Sequence, residues 1–260
     1  MKDFLEAWKP NGHVSKTGYW VLFIVTILLV MGAWFARPPF IPSPLDVLEA
    51  YPRLMDQGLT YQLYISLSTN LQAIGLSCLF MVPLAYLTVL PAMRPFVQIL
   101  CKGRFLGLTG FVILFTIFFG GGHGLKVALL TFGMSVFLIT SLSEVVENIP
   151  REEFDHARTL RMGRWGSVIE VVILGRFDQV IDAVRQNAAM GWVMLTMVEG
   201  LVRFEGGLGA LMLAEDKHIR LDAVFAVQSV VILIGIVQDV ALRLFRRVVC
   251  PYAELTLERR

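Results

Sequence analysis

Six stretches of the chain are apolar over lengths that suit helices crossing a bilayer, and they set the frame for every other reading. The first, residues 19–36, is about 18 residues without a charge, enough for a helix to cross a hydrocarbon core ~30 Å thick. It follows Lys2, Lys9 and Lys16, and bulky Trp34 and Phe35 stand where a cleavable signal would need small residues. It is therefore expected to be a retained anchor. Residues 37–58 hold Pro38, Pro39, Pro42, Pro44 and Pro52 and predict an ordered surface loop. Further spans follow at 61–90, 96–119, 125–142, about 180–202 and 223–242. Pro91 and Pro95 separate the second from the third, and the run Gly120-Gly121-Gly122-His123-Gly124 makes a turn before the fourth. Two polar connections remain, 143–179 and 203–222, and neither an internal repeat nor a low-complexity tract interrupts the pattern.

Composition agrees with this pattern. Of 260 residues, 56% are hydrophobic and 17% charged, against roughly 25% charged in a soluble domain. The expected fold is all-α: a polytopic membrane protein of about six transmembrane helices. Residues 1–18 form an N-terminal segment, 19–245 the membrane domain and 246–260 a tail. Membrane lipid is its solvent. A formal net charge of +2 argues against a nucleic-acid partner, which would want a strongly basic face. Cys78, Cys101 and Cys250 have neither the even count of a disulfide framework nor the spacing of a zinc site.

The 23 Lys and Arg residues are unevenly shared between alternating connections. Lys2, Lys9, Lys16, Arg94, Lys102, Arg104, the arginines of 151–176 and those of 243–260 fall on one side. Arg37, Arg53, Lys126, Arg203, Lys217 and Arg220 fall on the other, and Arg185, near a helix start, is assigned to neither. Cytoplasmic loops carry the excess of basic residues. Both termini and the 143–179 connection are thus expected in the cytoplasm of a multi-pass protein of the inner membrane.

Signatures of catalysis are missing. There is no G-x-x-x-x-G-K-[ST] phosphate loop, no H-E-x-x-H and no Cys/His cluster, and His13, His123, His156 and His218 are isolated. The chain is read as no enzyme, with neither metal nor cofactor of its own. The informative segment is 148–165. Pro150 suits a first helical turn, Glu152, Glu153 and Asp155 come early where the helix dipole favours negative charge, and Arg158, Arg161 and Arg164 come late. Phe154, Ala157 and Leu160 recur every three residues as one apolar stripe. Such a helix suits either a knob for a partner's groove or a connector lying against the bilayer.

Several motifs, in order, resemble the ABC-importer permeases of the nitrate, taurine, sulfonate and bicarbonate type. Ile41-Pro42-Ser43-Pro44-Leu45-Asp46-Val47-Leu48 is similar to the family's stretch after its first helix, Ser66-Leu67-Ser68 to the start of its core helix, and Phe118-Phe119-Gly120 to its aromatic-glycine turn. Phe154 to Trp165 resembles its cytoplasmic coupling loop, and Glu199 with Gly206-Gly207-Leu208-Gly209 its closing motif. The resemblance implies a type I importer fold with a coupling helix, and an ATPase contact through Glu153, Phe154, Asp155, Ala157, Arg158, Leu160, Arg161 and Gly163. It also implies the partners: a second permease copy in a homodimer, a cytoplasmic ATPase dimer that binds ATP and Mg, and an extracytoplasmic solute-binding protein. The solute would be a small anion. The chain departs from the family where Arg161 replaces a glycine, His156 an alanine, and Leu174-Gly175 a proline-containing turn. Gly163 is expected to take over the left-handed turn that the missing glycine would make.

Polar residues within or at the ends of spans, Asn70, Gln72, Asn187 and Glu199, suit either interhelical hydrogen bonds or the lining of a translocation path. Asp182 and Arg185 suit a local helix pair. His123, Lys126 and Arg203 suit either headgroup contacts or an entrance that concentrates anions. A stand-alone secondary transporter or channel is the rival reading. It would want a buried ion-coupling carboxylate, broken helices at mid-membrane or an inverted repeat, and Glu199 is the sequence's one candidate.

Overall fold

The computed structural model describes residues 16–35, 41–202 and 205–251. The ends of the chain and Arg203 lie outside the described residues. Among those described there are helices and no strands: α1 (Lys16–Phe35), α2 (Pro44–Asp56), α3 (Leu59–Tyr86), α4 (Arg94–Lys102), α5 (Leu108–Phe119), α6 (His123–Glu147), α7 (Arg151–Thr159), α8 (Arg164–Ser167), α9 (Phe177–Leu201), α10 (Leu208–Lys217) and α11 (Leu221–Val249). A π-helical turn, Val168–Leu174, continues α8. Among the described residues, each of the six apolar stretches is mostly helical. Of these, α3 (with the turn that follows it), α6 and α11 are long and apolar enough to cross a membrane singly.

The 96–119 stretch is not one straight span. It breaks between Phe105 and Leu108, and α4 with its following turn lies at 110° to α5. Lys102, Gly103, Arg104 and Gly107 at the break supply charge and flexibility where a continuous span needs neither. The proline-rich connection also differs from expectation, because Pro44–Asp56 is a helix. Ser43 and Asp46 form a reciprocal capping box, and Pro44 sits at the helix start where its missing N–H costs nothing.

The core is built around α6, whose most apolar window is 61% buried against 22% for those of α3 and α11. One cluster gathers Val47, Ala50 and Leu54 of α2, Ala73 of α3, Leu130 and Met134 of α6, Trp192 and Leu195 of α9 and Val227 of α11. A second, toward α7, joins Ala85, Val97, Leu138, Leu142 and Val180, and a third, toward the glycine loop, joins Leu108, Leu129 and Val198. In contrast, α1 exposes apolar side chains on nearly all sides, as a lipid-facing helix does, and Trp34 fastens it by donating from Nε1 to the carbonyl of Pro42 at 2.9 Å.

Candidate functional site

Polar side chains cluster at both ends of this bundle. At one end α7 stops in a left-handed turn: the Met162 N–H reaches the Ala157 carbonyl (3.2 Å) and the Arg161 N–H the Arg158 carbonyl (2.9 Å). This is the paired bonding of a Schellman stop, with the left-handed residue just past the helix. That residue is Arg161, at φ 56°, while Gly163 sits at φ −66°. Gly163 therefore does not take over the turn, and the chain carries the strain on an arginine.

The apolar stripe of α7 is divided. Ala157 is only 4% exposed and packs within this chain, Phe154 is half-buried, and Leu160 is 60% exposed. The outward surface is thus Leu160 with the charged residues Arg151, Glu152, Asp155, Arg158 and Arg161, and Trp165 of α8 beside them in sequence. Asp155 accepts from Arg158 at 2.9 Å.

From α7 a chain of ion pairs runs into the bundle. Glu153 pairs with Arg176, just before α9. Arg246 of α11 reaches Asp178 at 3.4 Å and Asp182 at 2.8 Å. Arg185 bridges Asp182 (3.4 Å) to Asp239 (2.7 Å), and Asp239 also takes Arg243 at 2.7 Å. Asp182 and Arg185 do form a local pair, as their spacing suggests, but the same side chains tie α9 to α11. The π turn before Arg176 needs Gly175: its N–H reaches the Glu170 carbonyl, and a Cβ there would lie 2.7 Å from the Val171 carbonyl oxygen.

At the opposite end, four side chains from three helices hold the main chain of 206–209. Lys126 Nζ donates to the Gly206 carbonyl (2.6 Å), the Gly207 N–H donates to Gln62 Oε1 (2.5 Å) and the Leu208 N–H to Ser66 Oγ (2.8 Å). The Gly209 N–H donates to Glu199 Oε2 (2.9 Å), and Ser66 Oγ donates to Glu199 Oε1 (2.7 Å). Helix α10 begins here with no capping side chain of its own. The N–H groups of Gly207, Leu208 and Gly209 are satisfied by α3 and α9, with a carboxylate at the positive end of the helix dipole. Gly207, at φ 109°, and Gly209 permit this approach, since a Cβ on Gly207 would meet the Glu199 carboxylate and one on Gly209 the Thr196 backbone.

Lys126 is therefore not at an open entrance; it is fully buried, as are Ser66 and Glu199. Gln72 is exposed and bonds His123 Nε2 at 2.8 Å, and His123 Nδ1 lies 3.4 Å from Glu205. Asn70 is fully buried beside the place a Cβ on Gly191 would take, and among the described residues neither its amide atoms nor the Oδ1 of buried Asn187 finds a hydrogen-bond partner. The structure thus unites Glu199 with Lys126, and Gln72 with His123, and leaves Asn70 and Asn187 in the bundle core. Sequence reasoning missed Gln62 as a partner of this loop. The stripe Ser66, Thr69, Asn70, Ala73 and Ser77, buried along one face of α3, was the available signal, because small and polar residues mark the contact face of a membrane helix.

No family model matches the chain. A protein of Methanocaldococcus jannaschii provisionally named an ABC transporter permease is 26% identical over 125 residues, which are 48% of this chain and 47% of that protein. The chain thus matches about half the length of this relative. Among solved structures, one from the MetNI methionine ABC transporter in inward-facing conformations superimposes with a TM-score of 0.60 at 14% identity, over 72% of this chain and 93% of that one. Helices of membrane-crossing length, a short helix hung between α6 and α9, and these two likenesses agree: the chain has the fold of an ABC-importer membrane subunit.

Proposed function

We propose that this chain is the permease subunit of an ATP-driven importer. It spans the membrane with α7 in the cytoplasm and catalyses no bond change itself. Two copies would enclose the solute path, an ATPase pair would seat α7, and an extracytoplasmic solute-binding protein would deliver a small solute, with an anion such as nitrate, a sulfonate or bicarbonate as the working expectation. The observation that carries this reading is the α7 segment, a short capped helix ending in exposed Leu160 and wired through Glu153 and Arg176 to the start of α9.

Closure of the ATPases would move α7. Because Arg176 immediately precedes α9, and α9 is tied to α11 by Asp178, Asp182, Arg185, Arg246 and Asp239, a displacement of α7 is passed to both helices together. Alternating access then follows from two packings of the same helices, biased by ATP. The rival reading finds its buried carboxylate in Glu199. That carboxylate is already engaged by Ser66 and Gly209 in holding main chain, which fits a structural clamp better than an ion-coupling site.

Leu160→Glu tests the docking surface, because Leu160 is exposed and the subunit should still fold and insert. The expected outcome is loss of ATPase pull-down and of ATP-dependent uptake in vesicles at equal membrane expression. If both survive, the segment is a surface connector. Ala157 is the wrong probe, since a charge there would disturb this chain's own packing.

A further inference from the structure

We propose that the hollow between α4 and the last turns of α6 binds the headgroup of an amine-bearing phospholipid, its phosphate against Arg94, Lys102 and Arg104 and its ammonium against Glu144 and Glu147. The hollow has a volume of about 320 Å³, within the ~300–1,000 Å³ range of small-molecule sites. The cations lie on α4 and the turn after it, and the two carboxylates on α6. Gln98, Thr140 and Ser143 add neutral hydrogen-bonding groups between these walls.

Two independent features place this hollow among lipid headgroups. The 110° bend puts α4 across the direction of the apolar helix α5, which is how an amphipathic helix lies in a membrane interface. One face of α4 buries Val97 and lines the hollow, while Phe96 and Ile99, and beyond the helix Phe105 and Leu106, are exposed apolar side chains suited to the acyl region. Basic pockets at such depth are sites for phosphate-bearing headgroups.

The charges select among headgroups. Among the described residues, none of Lys102, Arg104, Glu144 and Glu147 forms an ion pair, so both signs remain available in one cavity. Arg94 spends its Nε on the Thr88 carbonyl at 3.1 Å, and Arg104 lies over the Phe105 ring, 5.2 Å from its centre. A purely anionic headgroup would satisfy the cations and leave two carboxylates facing a phosphate, which is repulsive. A choline headgroup carries a positive charge without an N–H to donate. A primary ammonium offers three donors to the carboxylates while the phosphate takes the guanidinium groups. The inference does not depend on the importer reading.

The experiment measures retention of phosphatidylethanolamine, phosphatidylcholine and phosphatidylglycerol, with matched acyl chains, on the purified full chain in detergent by native mass spectrometry. Soluble O-phosphoethanolamine is added as competitor in a separate arm. Phosphatidylethanolamine should be held about tenfold more strongly than either other lipid, the scale of one or two charge-assisted hydrogen bonds. Lys102→Gln with Arg104→Gln should lower retention of all three. Glu144→Gln with Glu147→Gln should abolish the preference over phosphatidylglycerol. Equal retention of the choline lipid, or tighter retention of phosphatidylglycerol by the unmodified chain, overturns the amine assignment. Displacement by O-phosphoethanolamine at concentrations comparable to the lipid's overturns the lipid source in favour of a soluble ligand.

Discussion

The ends of the bundle solve the same problem, fixing helices to one another, with opposite chemistry. At the α7 end the ties are ion pairs between side chains that water still reaches: Asp178, Asp182, Arg185, Asp239 and Arg246 are each roughly a fifth to a quarter exposed. At the glycine-loop end they are hydrogen bonds between main chain and the buried residues Lys126, which donates, and Ser66 and Glu199, which accept. Pairs that water still reaches cost less to break than fully buried ones and can exchange partners, since several charges compete for each. Buried charges whose partners are removed are expensive. The ties at the first end can therefore be exchanged at lower cost than those at the second, which hold one loop in one place.

The largest effect should come from breaking the clamp. Glu199→Ala leaves the Ser66 hydroxyl and the Gly209 N–H without their buried acceptor and removes a carboxylate from the loop that buried Lys126 also holds, and should destabilise the purified chain by ~3–5 kcal/mol in thermal unfolding. A loss no greater than that of an exposed substitution would show that the loop is not held there. Next comes the wire from α7. Glu153→Gln or Arg176→Gln should cost about 1 kcal/mol of stability, as partly exposed pairs do, yet sharply reduce ATP-dependent uptake. Equal, small effects on both readouts would deny that the pair transmits anything.

Smaller again is Asp239→Asn, which removes the shared acceptor of Arg185 and Arg243. Its destabilisation of about 1 kcal/mol should shrink as salt is raised, because screening already weakens the intact pairs. The loss from Glu199→Ala should be nearly insensitive to salt, and a parallel salt response would erase the distinction between the two ends. The smallest effect should be a gain. Arg161→Gly relieves a left-handed residue and should stabilise the chain by ~0.5–1 kcal/mol, the relief being partly offset by the greater freedom of glycine when unfolded.

The long helices were legible because a helix in lipid must be apolar over a fixed length, a constraint written in consecutive residues. Helix α2 was hidden by its prolines. Pro44 counts as a breaker in a proline-rich run and as a favoured first residue only when Ser43 and Asp46 are read together as a cap. Lys126 was misplaced because a lysine beside a glycine turn looks solvated, and its partner, the Gly206 carbonyl, lies 80 residues away. The left-handed turn after α7 was legible, but not which residue bears it: a glycine is the cheapest choice, and the Schellman bonds from Arg161 and Met162 override that preference. The ion pairs joining α9 to α11 were legible only in part, since the spacing of Asp182 and Arg185 reveals the local contact and nothing in it reveals Asp239.

The most direct test of the central claim, that this chain moves solute only when an ATPase works on α7, is reconstitution. The purified chain is placed in liposomes alone, and then together with the ATPase and solute-binding protein proposed for it, and uptake of labelled nitrate, a sulfonate and bicarbonate is followed with and without ATP. The account predicts no gradient-driven uptake by the chain alone, and uptake by the complete assembly that requires ATP on the α7 side and disappears with Leu160→Glu. Solute movement by the isolated chain down an ion gradient would contradict it and establish a stand-alone transporter.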